Sequence, residues 1–425
     1  MWPPKPASDS HQDRNFLILI AIFYLILYGF RLWQPGNMYF DEVYQVSTAQ
    51  EILHLEGYTE TSHPPLGMLA IAGSIFIFGN HPWAWRLVSL FSGLGSLILI
   101  FLISKKLFQN QRAARFSLFL FMFDGLPFTQ ARIGIHNAQM LFLILLSIFC
   151  LMNCDLASKK NRRLSLFLSG FFWGLALCTK WVSMGALVPL VLVYKKLWED
   201  NEKKHLAGKR TLIKESILFL TLLPIVFYFI PFMVIPFIKG LSWQTIWVYQ
   251  VLMATYHSHL KVGHEYGSTW WSWPLLLRPI QYFYETRLSA FLLKRETIST
   301  ILCIGNPSIF WTLPAVFLFS IWKSITEKLW PVRFALISSL AFWLPWSLIS
   351  RVKFFHYFYV SFAFLVILLG WILDQIWTSG KNGKILVGIY LLLIVGLFIY
   401  WYPLYTAIPI TKEIFESHLW FKSWA

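Results

Sequence analysis

Runs of roughly 18 to 22 apolar residues recur from one end of the chain to the other, each long enough to cross about 30 Å of hydrocarbon as a helix. No other feature constrains the fold as tightly. Inside lipid only helices and closed barrels satisfy their backbone hydrogen bonds, and runs of this length belong to helices. Of the 425 residues, 57% are hydrophobic and only 13% charged, about half the charged share of a soluble domain. A soluble chain of this size would lack the polar residues to cover its surface. The expected fold is an all-α polytopic membrane bundle.

Eleven spans are expected, near residues 16–33, 83–104, 113–129, 136–153, 164–179, 181–197, 214–235, 305–322, 332–349, 355–373 and 384–403. Residues 66–79 are apolar but too short to span, and are expected as an interfacial helix in the first outer loop. Lys105, Lys106, Arg112 and Arg115 fill one loop, Lys159, Lys160, Arg162 and Arg163 another, and further basic residues run from Lys195 to Lys214. Lys323, Lys328, Lys381 and Lys384 mark the later loops. Basic loops stay inside, so the N-terminus is expected in the cytoplasm and the C-terminus outside. The net charge of +16 is thereby read as a topology signal rather than a nucleic-acid surface. Residues 16–33 are expected to stay as the first span rather than be cleaved as a signal. The four cysteines include no CxxC pair, which argues against a metal cluster or a disulfide framework. The whole chain, 1–425, is expected to be one membrane domain, with outer loops near 34–82 and 236–306 and an outer tail near 404–425.

Chemistry should sit where charge is placed at membrane depth for a reason. Asp41 and Glu42 follow the first span directly, and two carboxylates there are costly if buried. Read alone, the pair is more simply a solvated loop with Asp41 as the N-cap of a helix over 42–55. His63-Pro64-Pro65-Leu66-Gly67 makes a rigid turn at the head of the short apolar helix. Arg86, Arg132, Lys180, Lys261, Arg278 and Arg351 fall on the outer side or at outer span ends. Each suits either a lipid phosphate or simple snorkelling. His257, His259 and His264, with Glu265, raise a metal reading, and Trp243, Trp247, Trp270, Trp271 and Trp273 form an interfacial belt.

The Asp-Glu pair and His-Pro-Pro-Leu-Gly are joined in order by Ala84-Trp85-Arg86-Leu87-Val88-Ser89, Gln130-Ala131-Arg132-Ile133-Gly134 and Gly174 to Trp181. Then come Tyr256-His257, Leu260-Lys261, His264-Glu265-Tyr266, Ser272 to Pro279, Gly305-Asn306-Pro307, Arg351 through His356-Tyr357, and the ending Pro409-Ile410 to Ser423-Trp424. With these motifs the chain resembles the protein O-mannosyltransferase family, membrane glycosyltransferases of the GT-C type, over nearly its whole length. The bacterial subtype fits, because the large outer loop lacks the sugar-binding-like repeat domain of fungal and animal members.

The resemblance implies transfer of mannose from a polyprenyl-phosphate donor to Ser/Thr hydroxyls of secreted or membrane proteins. It implies one inverting displacement with Asp41 as base and Glu42 as a second contact, mutual repulsion raising the pKa of at least one of the two. Arg86 and Arg278 are favoured for the donor phosphate, with Arg132, Lys180, Lys261 and Arg351 as further cations. His63, His257, His264 and Tyr266 are expected at the substrate. It calls for no metal or cofactor beyond the lipid-linked donor. The partners it implies are that donor, membrane lipid and an acceptor protein emerging from the secretion machinery, at the outer face of a bacterial cytoplasmic membrane. Three positions depart from the family pattern: Met68 stands for lysine, Thr61 for aspartate and Asn137 for aspartate. Other readings are a GT-C enzyme with a lipid or glycan acceptor, a non-catalytic relative, and a transporter or flippase, for which Asp124 is the strong mid-span candidate.

Overall fold

The computed structural model describes residues 9–259, 263–288 and 296–424. Each expected span coincides with helix, and seven helices among the described residues are long and apolar enough to cross a membrane: His11–Gly29, Pro82–Phe108, Trp181–Lys204, Lys209–Phe237, Pro307–Thr326, Phe355–Thr378 and Lys381–Thr406. The others are shorter or more polar. The third expected span is two helices, Gln111–Met122 and Gly125–Gln130, parted at Asp124. Asn137–Met152 is a helix of 16 residues, Lys159–Leu177 opens on four basic residues, and Trp330–Trp343 gives way to a 3₁₀ turn.

Packing follows the small residues. Lys159–Leu177 lies so close to the Lys209–Phe237 segment that a Cβ on Gly170 would come within 1.7 Å of the Phe219 carbonyl. At the basic end of this pair, Arg162 and Arg163 both reach Glu215, at 2.7 and 2.8 Å. The Phe355–Thr378 helix is buried for 89% of its apolar window and forms the centre of the larger core. A second core, around Val46, Ile71, Trp85, Cys178 and Phe232, holds the first long loop against the bundle. In that loop the helix Leu66–Phe78 has 13 residues, too few to span, and leaves Phe76 and Ile77 on the surface.

To the helical bundle the long loop after residue 236 adds a small sheet that the sequence reading did not anticipate. Strands β1 (Ile280–Leu288), β2 (Glu296–Cys303) and β3 (Ile410–Thr411) form an antiparallel sheet in the order β1-β2-β3. Thr297, Ile298, Thr300 and Ile301 supply the β-branched side chains that favour a pleated, half-buried surface. The C-terminal segment is part of this layer rather than a loose tail. Ile410 pairs with Ile298, Trp424 Nε1 donates to the Leu276 carbonyl at 2.6 Å, and Arg278 donates to the Ser423 carbonyl at 2.7 Å.

Candidate active site

The first helix ends at Gly29, and the turn after it carries Asp41 to the N-terminus of the helix Glu42–His54. Asp41 is not the side-chain cap that its position suggests: its carboxylate makes no capping bond there. It lies half-buried in the wall of a polar chamber of about 540 Å³. Glu42, the next residue, points the other way and is fully buried. Its Oε1 accepts from Arg86 Nε at 2.8 Å and from the Gly134 amide at 2.7 Å, and its Oε2 accepts from Arg86 Nη2 at 2.9 Å.

Arg86, expected at the donor phosphate, borders neither chamber and has its guanidinium engaged elsewhere. Besides Glu42, its guanidinium donates to the carbonyls of Leu32 and Pro35, both at 2.9 Å, and of Asn37 at 3.3 Å. A guanidinium has five N–H donors, and these contacts use them all. Arg86 is a clamp that fixes the turn carrying Asp41. Arg132 donates to the carbonyls of Tyr28, Phe30 and Arg31, which ties down the C-terminus of the first helix, and it borders neither chamber. Arg278 holds the carbonyls of Glu265 and Ser423 and borders neither chamber. Lys261 lies outside the described residues.

Lys180 and Arg351 are the expected cations that reach the site. Both line the polar chamber, and both also line a second chamber of about 570 Å³, whose walls are Trp181, Val182, Met184, Val188, Phe342, Pro345, Trp346 and Ile349. His63 and Tyr357 share this boundary between a polar and an apolar space. Lys180 Nζ donates to Asn137 Oδ1 at 2.9 Å, Asn137 Nδ2 to Gln130 Oε1 at 2.9 Å, and Gln130 Nε2 to the Tyr282 hydroxyl of β1 at 2.6 Å. Because Asn137 is an amide, it positions the ammonium without cancelling its charge. Arg351 donates to the Tyr357 hydroxyl at 2.6 Å and to Nδ1 of His257.

Burial pushes the Asp41 carboxyl up to about 6, against the pull of the Lys180 ammonium, and the Glu60 charge adds to the rise. The cause is therefore burial and Glu60, not the repulsion from Glu42 expected of adjacent carboxylates. Burial also draws Lys180 down to about 8 while Asp41 holds it up. His257 is pulled down to about 4 by burial and then by Arg351, which leaves it neutral and able to accept Arg351's hydrogen bond. His63 is lowered in the same way, and its ring stands 4.4 Å from His136 and 5.5 Å from His257.

Of the other expected contacts, His264 lines the polar chamber, whereas Tyr266 packs outside it with its hydroxyl on Gln281 at 2.8 Å. Met68, which stands where the family has lysine, is fully buried in the second core and borders neither chamber. Thr61 does line the polar chamber. Asp124, the transporter candidate, accepts the amides of Leu126 and Asn306 at 2.8 Å each, a helix cap and an interhelical tie. Sequence reasoning missed Glu60 and Tyr357. Tyr357 sat in a quoted motif beside Arg351, while Glu60 belongs to no motif and was marked only by its closeness to His63.

The arrangement of helices is that of GT-C membrane glycosyltransferases. The Saccharomyces cerevisiae protein O-mannosyltransferase Pmt1-Pmt2 complex bound to the sugar donor matches with a TM-score of 0.82 at 13% identity, over 97% of this chain and 92% of that one. ArnT from Cupriavidus metallidurans bound to undecaprenyl phosphate matches with a TM-score of 0.58 at 16% identity, over 85% of this chain and 60% of that one. The chain belongs to the protein O-mannosyltransferase family. Residues 77–237 match the model for dolichyl-phosphate-mannose-protein mannosyltransferase, and residues 242–424 the model for the C-terminal four-transmembrane region of protein O-mannosyltransferase. The polyprenol-phosphate-mannose–protein mannosyltransferase of Mycolicibacterium smegmatis is 24% identical over 92% of this chain and 88% of its own length. That of Corynebacterium glutamicum is 23% identical over 99% and 96%.

Proposed function

We propose that this protein transfers mannose from a polyprenyl-phosphate donor to serine or threonine hydroxyls of proteins at the outer face of a bacterial cytoplasmic membrane. The names of its full-length relatives support the donor and the protein acceptor. One observation carries the reading: Asp41, a carboxylate without a hydrogen bond or ion pair among the described residues, shares a polar chamber with two cations that also border an apolar chamber. A lipid phosphate has this divided character.

In this reading the prenyl chain lies against Trp181, Val188, Phe342 and Trp346, and the phosphate meets Lys180 and Arg351. The fork of Arg351 can contact two phosphate oxygens, and Lys180 adds a point charge. The sugar then projects into the polar chamber. A serine hydroxyl is a weak nucleophile, so Asp41 accepts its proton as the oxygen attacks the anomeric carbon. The C–O bond to phosphate breaks as the new one forms, and the leaving phosphate takes the electron pair while its growing charge meets the two cations. One displacement inverts the anomeric centre. His63 and His264 are read as sugar or phosphate contacts, and no step calls for a metal.

The pH dependence follows from the two shifted groups. Below about 6 Asp41 is protonated and cannot act as base, and above about 8 Lys180 loses its charge. Turnover should therefore rise through about 6, hold a plateau, and fall through about 8. A profile that is flat from pH 5 to 9 contradicts both assignments.

The function is tested in sealed, right-side-out vesicles loaded with labelled polyprenyl-phosphate mannose, with a Ser/Thr-rich peptide added outside. Label should appear on the peptide. Label on lipid or glycan instead would place the protein among GT-C enzymes of another acceptor, and, in a parallel sample with the peptide enclosed, transfer only to that enclosed peptide would reverse the proposed face.

A further inference from the structure

Glu60 lines the polar chamber together with Asp41, Lys180 and Arg351. Its place is fixed by the helix that begins at Asp41. The Glu60 amide donates to Thr48 Oγ1 at 3.0 Å, and Thr59 is tied through its amide to Glu51 at 3.0 Å. Thr48 and Glu51 both belong to Glu42–His54, so the two chamber carboxylates are set on one rigid element. Within the turn, the Ser62 amide donates to Glu60 Oε1 at 2.6 Å, and the Ser62 hydroxyl donates to the same oxygen. Among the described residues no hydrogen bond or ion pair engages Oε2.

We propose that Glu60 binds hydroxyl groups of the transferred sugar, its free oxygen accepting from the ring as the sugar lies between Glu60 and Asp41. This rests on the lipid-phosphate sugar transfer proposed above. The two cations hold the phosphate at the boundary of the chambers, so the sugar is the part of the donor that enters the polar one. A pyranose presents several hydroxyls, and a carboxylate oxygen with a fixed direction accepts from one or two of them. Phe40, Tyr44, Tyr256 and Phe354 in the same walls supply flat apolar faces for the ring's C–H groups. Ser62 holds the carboxylate at its first oxygen and so aims the second. Glu60 thereby contributes to which sugar is accepted, while Asp41 carries the proton transfer.

The test measures transfer from polyprenyl-phosphate mannose and from its 2-, 3-, 4- and 6-deoxy analogues, in wild type and in Glu60→Gln. In wild type, loss of the hydroxyl that Glu60 holds should lower kcat/KM by about 10–100-fold, the scale of a hydrogen bond to a charged group. In Glu60→Gln the mannosyl donor should be slowed comparably, and the same deoxy analogue should be penalised only about threefold, because the contact is already weakened. Each ratio is taken within one protein preparation, so a lower yield of folded variant leaves it unchanged. Equal deoxy penalties in the two proteins at every position overturn the sugar contact. So does a Glu60→Gln variant whose only change is a higher KM for peptide. Wild type that transfers no sugar from any of these donors removes the proposed activity itself, whereas normal wild-type transfer with unaltered ratios removes Glu60 alone.

Discussion

Asp41→Asn should lower transfer by roughly 10²–10⁴-fold, the usual contribution of a positioned general base. The substitution keeps size and one acceptor oxygen but removes the group that takes the hydroxyl proton. It should leave the protein folded, because the Asp41 carboxylate caps no helix. It should also leave donor binding nearly intact, since Lys180 and Arg351 remain. The loss belongs to turnover, and measuring single-turnover transfer at saturating donor isolates it. Wild-type turnover in Asp41→Asn, at equal folded concentration, would remove Asp41 from the mechanism.

Arg86→Ala is expected to act on stability instead. It strands Glu42, which is fully buried, and frees three backbone carbonyls that the guanidinium now satisfies. Breaking one side of a buried ion pair costs about 3–5 kcal/mol. Detergent-solubilised Arg86→Ala should unfold at a clearly lower temperature and accumulate poorly in membranes. Pairing it with Glu42→Leu removes the stranded charge and should recover part of the loss, though not the part owed to the carbonyls. Arg351→Ala, by contrast, should weaken donor binding with little change in stability. A variant lacking Arg86 that melts like wild type but needs far more donor would return Arg86 to the phosphate.

The contrast between Asp41 and Glu42 marks where the sequence stops being legible. Adjacent residues on a helix point about 100° apart, so of two neighbouring carboxylates one faced the chamber and the other the bundle. Nothing local said which. The cations pose the same problem: Arg86, Arg132, Lys180 and Arg351 all stand at or near span ends. They differ only in whether backbone carbonyls surround them, as in the turn over residues 28–37, or a cavity does. Span positions were legible because apolar length is written in one dimension. The third strand of the sheet was not, because Ile410 and Thr411 pair with β2 from more than a hundred residues along the chain. The sheet's short apolar runs looked like interfacial loop. The departures at Met68 and Asn137 changed meaning for the same reason. Met68 fills a core, and Asn137 orients a lysine.

The account's central claim is a single displacement from lipid phosphate to a protein hydroxyl at the Asp41 chamber. It is tested most directly by incubating purified wild type with polyprenyl-phosphate mannose and a Ser/Thr peptide and determining the anomeric configuration of the product by NMR. The account predicts mannose on the hydroxyl oxygen with the configuration opposite to that of the donor. Retained configuration, or no transfer from folded and donor-saturated protein, would contradict it.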